Sequence, residues 1–269
     1  MPSAIPRATY RLQLNENFTF DDASAVAPYL KALGISHVYA SPFLKARAHS
    51  QHGYDIVDHA AINPEIGTEA DLGALVATLR AHDMGLVIAL VPNHMGVLRA
   101  DNHRWLDVLE HGAASAFADF FDIDWTPPPH AAESHVLVPI LADHYGVILE
   151  RGELTRHFDA AAGELSLWYH GQRLPFRPAT YPRVLLAGFP TLEERAGAAA
   201  ATDLASIADA FAAVPVQPGD ERGDAARLAA HAKARLAALC AHVPAVLTHL
   251  EARVAAIQGS PDDARSFDE

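Results

Sequence analysis

The sequence predicts an α/β fold, on three observations. Aliphatic runs that read as strands alternate with helical periodicities through the first ninety-odd residues. Half of the 269 residues are hydrophobic, which allows a sizeable core. Polar residues cluster just beyond the second and third strand-like runs, at the end of a parallel sheet where barrel enzymes build their sites.

Residues 8–14 alternate well enough for a first strand. A helix follows from Phe20 or Asp21, with Asp21 or Asp22 placed to cap it. Its apolar positions Ala25, Val26, Tyr29, Leu30 and Leu33 recur at three- and four-residue steps, and Gly34 ends it. Residues 35–40 form a second strand that stops at Ser41-Pro42. A loop carrying His52-Gly53-Tyr54-Asp55 then leads to a helix from Thr68, with Leu72, Leu75, Val76 and Leu79 on one face. Thr68 and Asp71 have the spacing of a capping box. The third strand is the apolar run 85–91, stopped by Pro92, with Asn93, His94 and Met95 beyond. Strand–helix–strand–helix–strand calls for a parallel sheet with right-handed crossovers. On pattern alone a doubly wound sheet and a (βα)8 barrel fit equally well. The long excursions after the second and third strands favour the barrel.

The pattern changes from Gly96, so the expected division is 1–95 and 96–269. Residues 105–110 suggest a short helix, and 117–121 another turn or two. Pro127-Pro128-Pro129 breaks the chain. Strand-like pieces at 136–138, 146–149 and 165–169 read as a small antiparallel sheet. The proline-rich stretch 174–190 reads as loop. The last eighty residues are alanine-rich and helical. Leu228, Ala232, Leu236, Leu239, Val243, Val246, Leu250, Val254 and Ile257 form one apolar seam that Pro244 kinks or splits.

Composition narrows the function classes. A formal net charge of −13 argues against nucleic acid and against an anionic membrane surface, and fits a neutral ligand. The one cysteine, Cys240, cannot form an internal disulfide and reads as a small buried helix residue in a reducing compartment. No stretch approaches the ~20 apolar residues of a membrane span. Residues 1–7 lack a signal-peptide layout. The expected location is cytoplasmic. Sixteen histidines invite a metal hypothesis, yet no paired metal-ligand spacing occurs, and no cofactor is expected.

A neutral sugar is held by hydrogen bonds to its hydroxyls and by an aromatic ring on its apolar face. His52, Tyr54 and Asp55 on one loop, with Asn93 and His94 at the end of a neighbouring strand, supply those groups. In a parallel sheet both sets open on one rim. The plainer reading packs Tyr54 in the core, makes Asp55 and Asp58 turn residues, and leaves His94 as a rim histidine.

The segments 52–58, 63–67 and 91–95 together resemble the α-amylase superfamily of glycoside hydrolases. Residues 8–14, 39–42, 107–110 and 121–125 narrow the resemblance to its maltooligosyl trehalose synthases, from residue 8 to about 180 and weakly again at 266–268. The resemblance implies the first three βα units of a (βα)8 barrel, followed by a mixed α+β insertion. It implies that Tyr54 stacks on the glucose beside the scissile bond, that His52 and His94 bond its hydroxyls, and that Asn93 braces the loop junction. The implied activity turns the reducing-end α-1,4 linkage of a maltooligosaccharide into an α,α-1,1 linkage, for trehalose synthesis, with a glycogen-derived glucan as substrate.

Two departures qualify it. Where the family carries an acidic residue five positions before its histidine, this chain has Ala89. A buried polar group losing such a partner costs roughly 1–3 kcal/mol. The family's nucleophile and acid/base carboxylates, roughly 5–5.5 Å apart in retaining glycosidases, follow its fourth and fifth strands, and this chain has no matching segment. Asp122, Asp124, Glu150 and Glu153 have the wrong setting to replace them. No catalytic residue is therefore assigned. The expected form is truncated or split and inactive alone, with a further chain supplying the remaining barrel. The alternative is a non-catalytic maltodextrin-binding or interaction protein.

Overall fold

The computed structural model describes residues 5–126, 136–217 and 223–258. They form two compact units that divide between Asn102 and His103. The segments 127–129 and 266–268 singled out above lie outside the described residues.

The first unit runs β1 (Thr9–Leu12), α1 (Phe20–Ala32), β2 (His37–Ala40), β3 (Leu44–Ala46), β4 (Ile56–Ile62), α2 (Glu69–Ala81) and β5 (Gly85–Ile88). Strands β1, β2 and β5 form a parallel sheet with β2 central, Thr9 opposite His37 and His37 opposite Gly85. Side chains alternate between its faces. Leu12, Val38 and Ala40 are buried with Ala23, Ala27 and Leu30 of α1 and Leu75 and Leu79 of α2. Each such leucine is worth about 1.5–3 kcal/mol when fully removed from water. Arg11, Tyr39 and Val87 align in register on the other parity, the face a closed barrel would turn inward. Among the described residues the sheet stays open at three strands.

Three local expectations need correction here. The third strand is four residues long and not seven, because its partner β2 ends at Ala40 and pairing ends one residue later, with Ala89 N–H donating to Ala40 O at 3.0 Å. Helix α1 is capped by Thr19, not Asp21 or Asp22. Asp22 reaches back and accepts from the Thr19 backbone N–H at 2.8 Å and its hydroxyl at 2.9 Å. Helix α2 has the expected box, with Thr68 N–H donating to Asp71 at 2.8 Å and Asp71 N–H to Thr68 Oγ1 at 3.3 Å. The excursion after β2 is not plain loop: β3 and β4 pair antiparallel, so the His52 motif sits on the connection of a hairpin. Gly85 opens β5 for a packing reason. A Cβ there would lie 2.3 Å from the ring of the buried His37.

The second unit contains α3 (His103–His111), α4 (Tyr145–Glu150), β6 (Leu154–Asp159), β7 (Glu164–Tyr169), β8 (Gln172–Pro175), α5 (Tyr181–Leu185), α6 (Phe189–Ala196), α7 (Ala198–Ala212), α8 (Asp224–His242) and α9 (Pro244–Gln258). An antiparallel sheet is present, but it is β6–β7–β8. Of the three pieces expected, only 165–169 belongs to it. Residues 136–138 carry no regular structure, and 146–149 are helical, because Ile148 buries its side chain against Leu154 and Tyr169 and tertiary packing overrides its β preference. The proline-rich stretch is also more regular than expected. Pro178 starts a short 3-10 turn, and Pro182 and Pro190 are the second residues of α5 and α6, where a missing N–H costs nothing. Pro244 splits the C-terminal seam into α8 and α9. Ala232, Leu236, Val246 and Leu250 sit in its core with Phe211, Leu185 and Tyr181. Leu228 is left exposed.

A charged cluster ties this unit together. Lys233 Nζ lies 2.7 Å from one Glu110 oxygen and 2.9 Å from Glu164, whose other oxygen meets Arg173. Burial works to raise the Glu164 carboxyl and is outweighed by Lys233 and Arg173, so its pKa lies below the ordinary value.

Candidate functional site

Residues 47–55 connect β3 to β4, and a tight fold of this loop needs glycine. Gly53 has φ +73°, and a Cβ there would fall 2.3 Å from the Pro42 carbonyl oxygen. Its N–H donates to Ser50 Oγ at 3.1 Å, and the Ser50 hydroxyl donates in turn to Asp55 Oδ1. Asp55 thereby holds the loop's shape from within.

The same turn fixes the two aromatic residues. Tyr54 N–H donates to His52 Nδ1 at 3.0 Å, and their ring centroids are 6.1 Å apart. From across the loop His94 Nε2 lies 3.0 Å from the Tyr54 carbonyl oxygen. Arg11 on β1 donates to the Tyr54 hydroxyl at 3.2 Å, with its guanidinium 5.3 Å from the Tyr39 ring centroid and 5.8 Å from that of Tyr54. Tyr54 is thus anchored at its N–H, its carbonyl and its phenol, and its ring is half-buried.

These bonds settle which nitrogen carries each proton. His52 Nδ1 accepts, so in the neutral ring the proton sits on Nε2. His94 Nε2 faces a carbonyl and must donate, so its Nδ1 is an acceptor. The pair therefore offers one N–H donor and one bare nitrogen, which is the complement of a hydroxyl-rich neutral ligand.

Of the five residues expected at the rim, His52, Tyr54, Asp55 and His94 come together. Asn93 lies exposed beside His94 and no hydrogen bond draws it into this network. Ala89 is half-buried at the end of β5. Arg11 was not visible as a site residue from the sequence. Its only signal is that it pairs in register with Tyr39, which a strand's own residues do not reveal. In the second unit Asp124 caps a turn through Thr126 N–H at 2.8 Å, and Glu153 pairs with His170 at 3.2 Å.

A further set of charges flanks the loop. His49 Nδ1 is 2.8 Å from a Glu16 oxygen and 3.8 Å from Glu65, while His49 N–H donates to both Glu65 oxygens at 3.1 Å. The direct His49–Glu16 contact makes this an ion-pair network.

Residues 25–146 match the family described as Alpha amylase, catalytic domain. A Mycobacterium tuberculosis protein bearing the name maltooligosyl trehalose synthase is 40% identical over 162 residues, which cover 57% of this chain and 21% of that protein. The structure of maltooligosyltrehalose synthase from Arthrobacter ramosus aligns with a TM-score of 0.55 at 36% identity, over 64% of this chain and 21% of that one. Another maltooligosyl trehalose synthase crystal structure gives 0.57 at 37% identity, over 64% and 22%. The chain spans about a fifth of the length of these relatives. The chain is similar over residues 25–146 to the α-amylase catalytic domain, and over about three fifths of its length to the maltooligosyl trehalose synthases.

Proposed function

We propose that the rim around Tyr54 binds the terminal glucose of a maltooligosaccharide, as part of an enzyme that forms trehalose-type ends. The observation that carries this reading is the His52–Tyr54–His94 arrangement: a donor and an acceptor nitrogen flanking an anchored ring at the end of a parallel sheet. Similarity to proteins named for maltooligosyl trehalose synthesis supplies the substrate class.

In the reaction so inferred, a carboxylate attacks the anomeric carbon of the penultimate glucose. The bond to the terminal sugar's O4 breaks, and a carboxylic acid gives that oxygen its proton. The released glucose then returns through its own anomeric hydroxyl, which loses its proton to the same group as the ester breaks. His52, Tyr54 and His94 hold and orient the sugar; we assign neither carboxylate to this chain. A further chain or segment carrying them is the proposed partner. The net charge of −13 suits a neutral glucan. Among the described residues no helix is long and apolar enough to cross a membrane, and a cytoplasmic location goes with this reading.

Titration calorimetry with maltopentaose tests it. Replacing Tyr54→Ala should weaken binding about tenfold, the upper range for loss of an aromatic contact. Tyr181 is no control, because it is buried in the second unit's core. The exposed Tyr29 on α1 is the better one, and Tyr29→Ala should leave affinity unchanged. Equal losses at both positions would sink the assignment. The same samples, assayed for non-reducing product, should show binding without turnover.

A further inference from the structure

We propose that His49 is a positioning residue for the sugar-contacting loop, latching residues 47–55 to the β1–α1 connection through Glu16 and to the start of α2 through Glu65. The proposal rests on the rim reading above and adds to it a device that sets when the rim is held in shape.

The loop reaches the β1–α1 connection through few bonds. Glu16 Oε2 meets His49 Nδ1 at 2.8 Å, and Glu16 Oε1 accepts from Gln51 Nε2 at 3.1 Å. The Gln51 carbonyl accepts from Gln13 Nε2 at 3.2 Å and Asn15 Nδ2 at 3.4 Å. Glu65, between β4 and α2, takes the His49 backbone N–H. His49 and Glu16 hold the charged part of this set. His52 and Tyr54 follow three and five residues later, so a loosened His49 removes the charged tie on their side and leaves the neutral Gln51 bonds and the loop's internal bonds to hold them, with Arg11 and His94 on the other side.

Three features say that this histidine is placed for its charge. Its side chain is 73% exposed, so burial does not hold it. Its backbone sits at φ +60°, a conformation uncommon for a non-glycine residue, and its N–H bonds to Glu65 accompany it. Two carboxylates face the one imidazole, with Arg99 as the opposing charge. The hydrogen bond and charge of Glu16, then the charge of Glu65, raise the imidazole pKa above its ordinary value; Arg99 works the other way.

The sign follows from a raised folded-state pKa. The latch is fully closed below the ordinary histidine value, about 6.5, and is lost as pH rises through the raised one. Neutralised, the ring no longer screens Glu16 from Glu65, and the loop opens more often.

Amide hydrogen exchange on the free chain, corrected for intrinsic rate, reads the latch directly. The Gly53 amide should lose protection by about two- to fivefold between pH 6 and 9, the range an exposed charge pair supports. Maltopentaose affinity should fall in parallel. In His49→Gln both should sit at the high-pH value throughout, and Glu16→Gln should behave alike, with α1 and α2 amides unchanged. Gly53 protection that is flat with pH, or that keeps its pH dependence in His49→Gln, overturns the latch. If protection responds as expected but maltopentaose binds at no pH, the latch stands and the sugar reading fails.

Discussion

At Gly53 two requirements meet: a positive φ, and a carbonyl oxygen 2.3 Å from where a Cβ would be. Alanine can satisfy neither. Gly53→Ala should cost about 1–3 kcal/mol in urea unfolding, from strain at a left-handed residue that the loop must keep. It should also weaken glucan binding, since Tyr54 is the next residue. A variant as stable as the parent would mean that the Pro42 segment gives way and that the loop is softer than its hydrogen bonds imply. His52, Tyr54, Asp55 and His94 could be singled out in the sequence as neighbours because they lie on short stretches at the ends of two predicted strands. Arg11, Glu16 and Glu65 were not, since each acts through a partner more than fifteen residues away and nothing in its own neighbourhood marks it.

Among the elements, two local signals gave the right boundaries from sequence. The Thr68–Asp71 box starts α2 where its spacing says, and Pro244 divides the terminal seam. Failures occurred where tertiary contacts decide. Residues 146–149 look like a strand but bury Ile148 as a helix, and β3 is only three residues long with an irregular register that alternation cannot reveal. Strand β5 raises a consequence of its own. Ile88, the last residue of this outer strand, and Leu90 just beyond it are 51% and 61% exposed, and β5 has no further neighbour among the described residues. An apolar, unpaired edge invites association. Ile88→Lys should therefore reduce self-association in sedimentation velocity, without lowering the unfolding free energy by more than about 0.5 kcal/mol. A monomeric parent chain contradicts this.

Across the whole molecule, acid is the condition to which the packing is most exposed. His111 and His249 are buried, and burial lowers both pKa values below the ordinary histidine value. Their contribution is complete above about pH 6.5 and declines as pH falls through the lowered values. Glu164, lowered by Lys233 and Arg173, adds a second loss further down, below the ordinary glutamate range. Thermal unfolding should thus weaken in two stages on acidification. Lys233→Met should shrink the second stage, which Arg173 alone then sustains, at a cost of about 3 kcal/mol, because two carboxylates lose a shared partner. A midpoint constant from about pH 7 to 5 would contradict the histidine assignment, and one constant from about pH 4.5 to 2 that of Glu164.

The proposed sugar contact requires that His52 and His94 present a donor and an acceptor beside Tyr54, and nitrogen-detected NMR of the imidazoles reads this. Both rings should show the tautomer protonated at Nε2, whereas His82 and His242, whose Nδ1 atoms face carbonyls at 2.9 and 2.7 Å, should show the other. Adding maltopentaose should shift His52 Nε2 and His94 Nδ1 and leave His82 and His242 where they are. Unshifted rim histidines at saturating glucan, or shifts spread evenly over all four, would contradict the account.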